Sequence, residues 1–440
     1  MRFDGAIGTA LELIRAQIGD RQGRIILVRD VAGRLSAVLN DQVLQGDEWE
    51  TLAKALDERL GLYSPGFRRV LVRRSDLIDQ TDVFGSPDLV RLQDMEDAWL
   101  IDRLLTNQEW LRRPHLGRPQ LPVGTAFSLK GGVGRSTALA IWAWYLARQG
   151  QRVVAIDLDL EAPGLGSLLL DELPAYGMVD WLVEALLEQP EPELLDDCLA
   201  FSPVADDAEG VVQVIPAFGA KTQDYVAKVG RVYLPGLATD GKEIGLPERI
   251  DCLITALANR QDPPSVVLLD SRAGLHDIGA AVVTQLGAEA FLFARDEPQS
   301  WKAYRLLFEH LAKSAGLRFG MPDDDLRWRL KMVAAQVDKT EGAIANWIDA
   351  SYDTWSLLYD DDAKATEENP ALTFVRDDPS APHHPLTIYY DGSLRSRALV
   401  DFAQRPPWPV VEAAFGEFLA GATTRLLGNR TSRDASREEI

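Results

Sequence analysis

The stretch Ser128-Leu-Lys-Gly-Gly-Val-Gly-Arg-Ser-Thr137 constrains this chain more than any other. Gly131, Gly132 and Gly134, with Val133 among them, let successive backbone N–H groups turn inward around an anion, where side chains would obstruct its approach. Ser136 and Thr137 then open a helix, so the positive end of its dipole faces the same point. Ser136 stands where the hydroxyl of a phosphate-binding loop meets Mg²⁺. Arg135 stands where such a loop normally carries lysine, and a second cation, Lys130, precedes the glycines.

The flanks supply the context that such a loop requires. Thr125–Ser128 is short and apolar, as expected of a buried strand. Ser136 to about Gln149 is apolar nearly all round, as expected of a helix packed inside a domain. Gly150 closes it, and Arg152–Ile156 supplies the next strand, ending in Asp157-Leu-Asp159. Strand, glycine loop, helix and strand in that order favour a nucleotide site over a plain glycine turn. Further on, the apolar run Ser265–Asp270 delivers a carboxylate to the edge of the sheet, followed by Ser271-Arg-Ala-Gly274. That is a Walker B arrangement, in which the acid holds Mg²⁺ largely through water.

Taken together, KGGVGRST, IDLDLEAPGL and VVLLDSRAGL resemble the ParA/MinD-like ATPases with a deviant Walker A motif. The closer likeness is to the variant branch in which KGGVGK becomes KGGVGR, and it spans about residues 122–428. The resemblance implies a doubly wound, mostly parallel α/β P-loop domain with ATP and Mg²⁺ as cofactors. It makes Lys130 the signature lysine that reaches a partner subunit's nucleotide. Arg135 then lies beside the β- and γ-phosphates, and Ser136 is the Mg²⁺ hydroxyl. Asp159 becomes the carboxylate that orients attacking water, Asp270 the Walker B acid and Gly274 the sensor of γ-phosphate. Gln336 occupies the place where the family often has an asparagine that reads the purine. Tyr389 or Tyr390 flanks the base. Asp157 is left as either a second magnesium group or a strand-end residue, and Arg272 as either an arginine finger or the partner of a local carboxylate.

Arg135 bears on rate. Guanidinium is planar and wider than the compact ammonium of lysine, and a misplaced group costs on the order of 100-fold. Slow turnover is therefore expected. The leading expectation is a cytoplasmic ATPase switch that dimerises on ATP; the alternative is a nucleotide-binding adaptor with negligible turnover. Bacterial tyrosine kinases share related machinery, but no tyrosine follows Tyr390, which tells against self-phosphorylation of the tail.

Composition sets outer bounds. The 440 residues suggest two or three domains, and 46% hydrophobic content supports a large core. No run approaches the ~20 apolar residues of a membrane span, and the start lacks a signal peptide's apolar core. Two distant cysteines fit free thiols in a reducing compartment. A net charge of −21 disfavours nonspecific DNA binding as the main task.

Residues 1–111 are expected to form a small α+β domain that binds a partner or regulates, with the order β-β-α-β and Asp47 capping a helix over 48–60. Residues 112–121 read as a linker, 122–428 as the ATPase and 429–440 as a disordered tail. Within the ATPase, Lys221–Pro247 has little periodicity, and the resemblance implies that this part contacts another subunit or a client. His383 and His384 read as part of an exposed loop rather than a metal site. Residues 409–427 read as a helix packed on the sheet, since they carry few of the basic residues that membrane-surface helices use.

Overall fold

The computed structural model describes the chain apart from residues 20, 22, 87, 93–96, 116, 188, 189, 191, 238–242, 314–324, 361–370, 395–398, 401–404 and 429–440. The expected tail therefore lies outside the described residues. The chain divides into two compact units, one of residues 1–113 and one built from 114–312 and from 316 onward.

The first unit is a five-stranded sheet with two helices on one face. α1 (Phe3–Ile18) buries Ala6, Ala10, Leu11, Ile14 and Ile18, the one-sided spacing of an amphipathic helix. β1 (Ile25–Arg29) and β2 (Leu35–Leu39) form an antiparallel pair. α2 (Glu48–Leu60) buries Trp49, Leu52, Ala53, Leu56 and Leu60. Both helices pack on Ile25, Leu27, Leu35, Ala37 and Leu39. β3 (Leu71–Arg73), β4 (Leu89–Arg91) and β5 (Ala98–Asp102) complete the sheet in the order β3-β2-β1-β5-β4.

The expected β-β-α-β order is thus incomplete. It omits α1, β4 and β5, and β5 owes its place to parallel pairing with β1 some seventy residues earlier, which local pattern does not show. Asp47 does not cap α2 through its side chain. Instead the Glu48 carboxylate accepts the Gln45 backbone N–H at 2.7 Å and the Arg21 guanidinium.

The second unit is an eight-stranded sheet. Its strands are β6 (Val123–Ser128), β7 (Arg152–Asp157), β8 (Ala200–Phe201), β9 (Val211–Ile215), β10 (Val266–Asp270), β11 (Glu289–Ala294), β12 (Leu330–Val337) and β13 (Leu386–Tyr389). They lie in the order β13-β12-β11-β6-β10-β7-β9-β8, all parallel except the edge pair β8–β9. Both faces are covered, so the central strands are apolar at nearly every position instead of alternating. Val266 and Leu268 of β10 enter the core beneath α3 (Arg135–Arg148), while Val267 and Leu269 are equally buried on the other side.

α3 lies so close to β6 that a Cβ on Gly124 would stand 3.0 Å from the Trp142 ring. That ring meets Phe291 and Phe418 edge-on at 5.2 and 5.7 Å, and its Nε1 donates to Thr423 Oγ1 at 2.9 Å. Phe418 and Thr423 belong to the late helix Trp408–Thr423, which buries Val411, Ala414, Phe415, Phe418, Leu419 and Ala422 against the sheet, as its spacing predicts. No helix among the described residues is long and apolar enough to cross a membrane.

Two other expectations fail here. The segment read as unpatterned holds α4 (Tyr225–Val232), and Leu246–Ala258 after it forms a further helix. His383 is fully buried, not exposed. Its Nε2 donates to the Arg376 carbonyl at 2.7 Å, and its Nδ1 accepts the Tyr359 hydroxyl. Burial depresses its pKa, so it serves as a neutral linker between loops.

Candidate functional site

The loop between β6 and α3 crosses the carboxyl edge of the sheet, where Asp157, Asp270 and Gln336 also end or follow their strands. Gly132 and Gly134 have φ of +75° and +90°, a region that side chains disfavour. Gly131 does not share this requirement. Its lack of a side chain matters only for what approaches the loop. Ser128 Oγ donates to the Lys130 carbonyl at 2.8 Å, which closes the base of the loop.

Arg135 is buried and turned beneath the loop. Its Nη1 donates to Ser128 Oγ at 2.8 Å, and its Nη2 pairs with Asp159 Oδ2 at 3.4 Å. Asp159 Oδ1 also accepts the Ala162 N–H at 3.2 Å. Burial raises the Asp159 pKa, with the guanidinium opposing the shift.

Asp157 and Asp270 differ in their surroundings. Asp157 accepts three backbone N–H groups, from Asp159 at 3.1 Å, Gly164 at 3.1 Å and Leu165 at 3.0 Å. These bonds fold the loop after β7 over the carboxylate. Asp270 is fully buried, and neither of its oxygens meets a hydrogen-bond partner of normal geometry. Both acids are pushed upward, chiefly by burial; the Asp270 charge adds to the shift at Asp157, while the Arg135 charge and the Ser136 hydroxyl oppose it at Asp270. A buried carboxylate with two idle oxygens near a serine hydroxyl is chemically fitted to a hydrated divalent cation.

The remaining expected residues are engaged as follows. Gly274, with φ +98°, donates its N–H to the Ser128 carbonyl at 2.9 Å. Lys130 pairs with Glu297 and reaches Gln299 Oε1 at 3.3 Å. Arg272 takes the second of its two readings, since its Nη1 lies 2.8 Å from Glu161 Oε1.

A cleft of ≈ 510 Å³ opens on the other side of the loop. Of the expected residues it gathers Gly132, Val133, Gly134, Thr137, Gln336, Tyr389 and Tyr390. Lys130, Arg135, Ser136, Asp157, Asp159, Asp270 and Gly274 do not line it. Gln336 sits at a bulge between β12 and β13 with φ +55°, and its Nε2 donates to the Gly132 carbonyl at 3.1 Å. A non-glycine residue held there costs of order 1–3 kcal/mol and tends to mark functional sites. Tyr390 is half exposed. Arg295 and Asp391 also line the cleft and escaped the sequence reading. Arg295 was visible only as the end of an apolar run, and Asp391 only as the end of the late strand and loop that the resemblance sets beside the base.

A glycine loop at a helix N-terminus, a buried strand-end carboxylate and an adjoining cleft define a P-loop nucleotide-binding protein. Residues 125–382 match the model of the CobQ/CobB/MinD/ParA nucleotide-binding domain. The chain belongs to that family. A putative replication protein A from Rhizobium rhizogenes is 38% identical over 89 residues, which cover 19% of this chain and 22% of that protein. The matched part is therefore about a fifth of that relative's length. A ParA family ATPase from Chlorobium tepidum TLS aligns at 17% identity over 69% of this chain and 94% of its own, with TM-score 0.40. The ParA of pNOB8, solved bound to nonspecific DNA, aligns at 16% identity over 71% and 99%, with TM-score 0.40.

Proposed function

We propose that this ATPase-family chain is a slow, Mg²⁺-dependent ATP switch whose nucleotide-bound form is a homodimer. The single observation that carries the proposal is Asp270, a fully buried carboxylate beside the Ser136 hydroxyl, with neither oxygen in a hydrogen bond of normal geometry, behind a phosphate-type loop. Mg²⁺ would be held by Asp270 and Ser136, with Asp157 shaping the loop beside them. The ion would supply positive charge that offsets the charge of the phosphates.

The backbone of Gly131–Gly134 would receive the phosphates. Gln336 and Tyr390 are assigned to the base, and adenine is chosen on the family likeness. Asp159 is assigned the attacking water and Lys130 the partner's nucleotide. Each is occupied in the free chain, Asp159 by Arg135 and Lys130 by Glu297. Nucleotide must therefore displace protein contacts before these groups can act, which supports slow turnover.

The Arg135–Asp159 pair also favours the second reading, an adaptor that binds nucleotide without turnover and recruits an effector through residues 1–111. The protein client remains the first unit's assigned partner, and the cytoplasm the assigned compartment. Net charge does not decide the question of DNA, because it is silent about where the charges lie.

Mg²⁺-dependent ATP hydrolysis, measured with light-scattering mass for wild type and Asp159→Ala, tests the switch. Slow turnover that the substitution abolishes, with a persistent ATP-held dimer, is the expected result. Tight ATP binding without turnover or dimerisation overturns the switch in favour of the adaptor.

A further inference from the structure

α4 is held in place for a reason that hydrophobic burial does not supply. Of its eight residues only Val232 is fully buried, and Val226 is 85% exposed. Its polar contacts converge on one target. Tyr225, its first residue, donates its hydroxyl to the Leu160 carbonyl at 2.5 Å. Tyr233, just past its end, donates to Glu161 Oε1 at 2.5 Å. Leu160 and Glu161 directly follow Asp159.

The same Glu161 oxygen forms an ion pair with Arg272 Nη1 at 2.8 Å. One carboxylate thus joins the loop after β7, the loop after β10 and the end of α4. The helix is itself anchored at its middle and at its far end. Lys228 Nζ pairs at 2.6 Å with the buried Asp180, which also accepts the Gly177 N–H and the Thr222 hydroxyl. At the far end, buried Arg249 donates through Nη2 to the carbonyls of Val232 and Leu234 at 2.6 and 3.0 Å. An element that ends in two hydroxyls on one loop fixes that loop's position, since one hydroxyl holds the Leu160 backbone carbonyl and the other the side chain of the next residue, Glu161.

We propose that α4 is a brace for the Asp159 loop, with Tyr225, Tyr233 and Glu161 as positioning residues for hydrolysis. The proposal rests on the assignment of Asp159 to the attacking water. None of the three braces touches the reacting atoms. They set where Asp159 stands relative to the loop of Gly131–Gly134, and Arg272 makes that setting respond to the segment after Asp270. A shift of the loop by about an ångström is enough to cost rate on the order of 100-fold.

The test uses the full chain with Tyr225→Phe, Tyr233→Phe, Glu161→Ala and the Tyr233→Phe/Glu161→Ala double variant. Each Tyr→Phe change removes one hydroxyl and leaves the ring. Each is expected to lower kcat roughly fivefold to tenfold while KM for ATP stays within about twofold, the signature of an interaction used in the transition state. The double variant is expected to match Glu161→Ala alone, because both act through one carboxylate.

Hydrogen exchange supplies a readout that needs no turnover. Amides 158–164 are expected to exchange faster in the Tyr→Phe variants, and those of β6 to stay unchanged. If wild type binds ATP and does not hydrolyse it, the hydrolytic assignment fails and exchange alone judges the brace. Unchanged kcat and unchanged exchange would overturn it. So would equal losses of ATP affinity and thermal stability, which mark plain packing.

Discussion

Arg135 occupies the lysine position of a phosphate-type loop, yet in the free chain its two terminal nitrogens are spent on Ser128 and Asp159. A planar fork can hold two acceptors at once, whereas an ammonium is a single point on a flexible stem. Arg135→Lys is therefore expected to free Asp159 and raise kcat roughly tenfold with little change in KM. Steady-state kinetics on the two proteins decide it, and an unchanged or lower kcat would show that the guanidinium does not restrain Asp159. At this scale the sequence revealed residue types and order well. It offered the loop and Asp270 through local strand and loop patterns, and Asp159 and Gln336 through the family resemblance. It did not reveal the direction in which Arg135 turns, the left-handed backbone of Gln336 or the burial of His383. Those depend on partners 24, 204 and 24 residues away.

Among elements, the β6–α3 pair shows how tightly the site is built. Gly124 lies under the Trp142 ring, and an added methyl would meet ring carbons at 3.0 and 3.2 Å and Leu426 at 3.1 Å. A buried indole cannot swing aside as a surface chain can, so Gly124→Ala is expected to destabilise the nucleotide unit by about 1–3 kcal/mol. Urea unfolding should show a lowered midpoint at an unchanged slope; an unmoved midpoint would mean that the ring relocates freely. The parallel strands were legible as unbroken apolar runs bounded by glycine and aspartate, because two-sided burial leaves no polar face. α4 was not, since its apolar stripe of Tyr225, Val229 and Val232 spans only eight residues, too short a window for helical periodicity to stand out. Its anchors, Asp180 and Arg249, lie 48 and 17 residues from the groups they hold. β5 escaped for a similar reason, as its place in the first sheet is set by pairing across the whole unit.

At the scale of the molecule, two compact units with separate cores should melt separately. Calorimetry is expected to show two transitions, of which saturating ATP and Mg²⁺ raise only the one belonging to the phosphate-loop unit. Ligand at 100 times its Kd adds about 2.7 kcal/mol to the form that binds it. A single transition that shifts as a whole would show that the units unfold together. The proline and arginine cluster that follows Leu111, expected as a linker because linkers are polar and proline-rich, lies beside the division at residue 113. What the first unit binds was not legible, since partner surfaces have no local grammar comparable to a glycine loop.

The bond between Trp142 and Thr423 joins residues 281 apart in the chain. At about 5–20 residues per second, a ribosome needs roughly 15–55 s between making one and the other. For that time α3, most of whose residues end up buried, has no cover for the face that Phe418 will occupy. Cells, or laboratories, that make this chain must shield that helix or slow its release; cooler expression and abundant holdase chaperones should raise the folded yield more than they do for proteins whose cores close early.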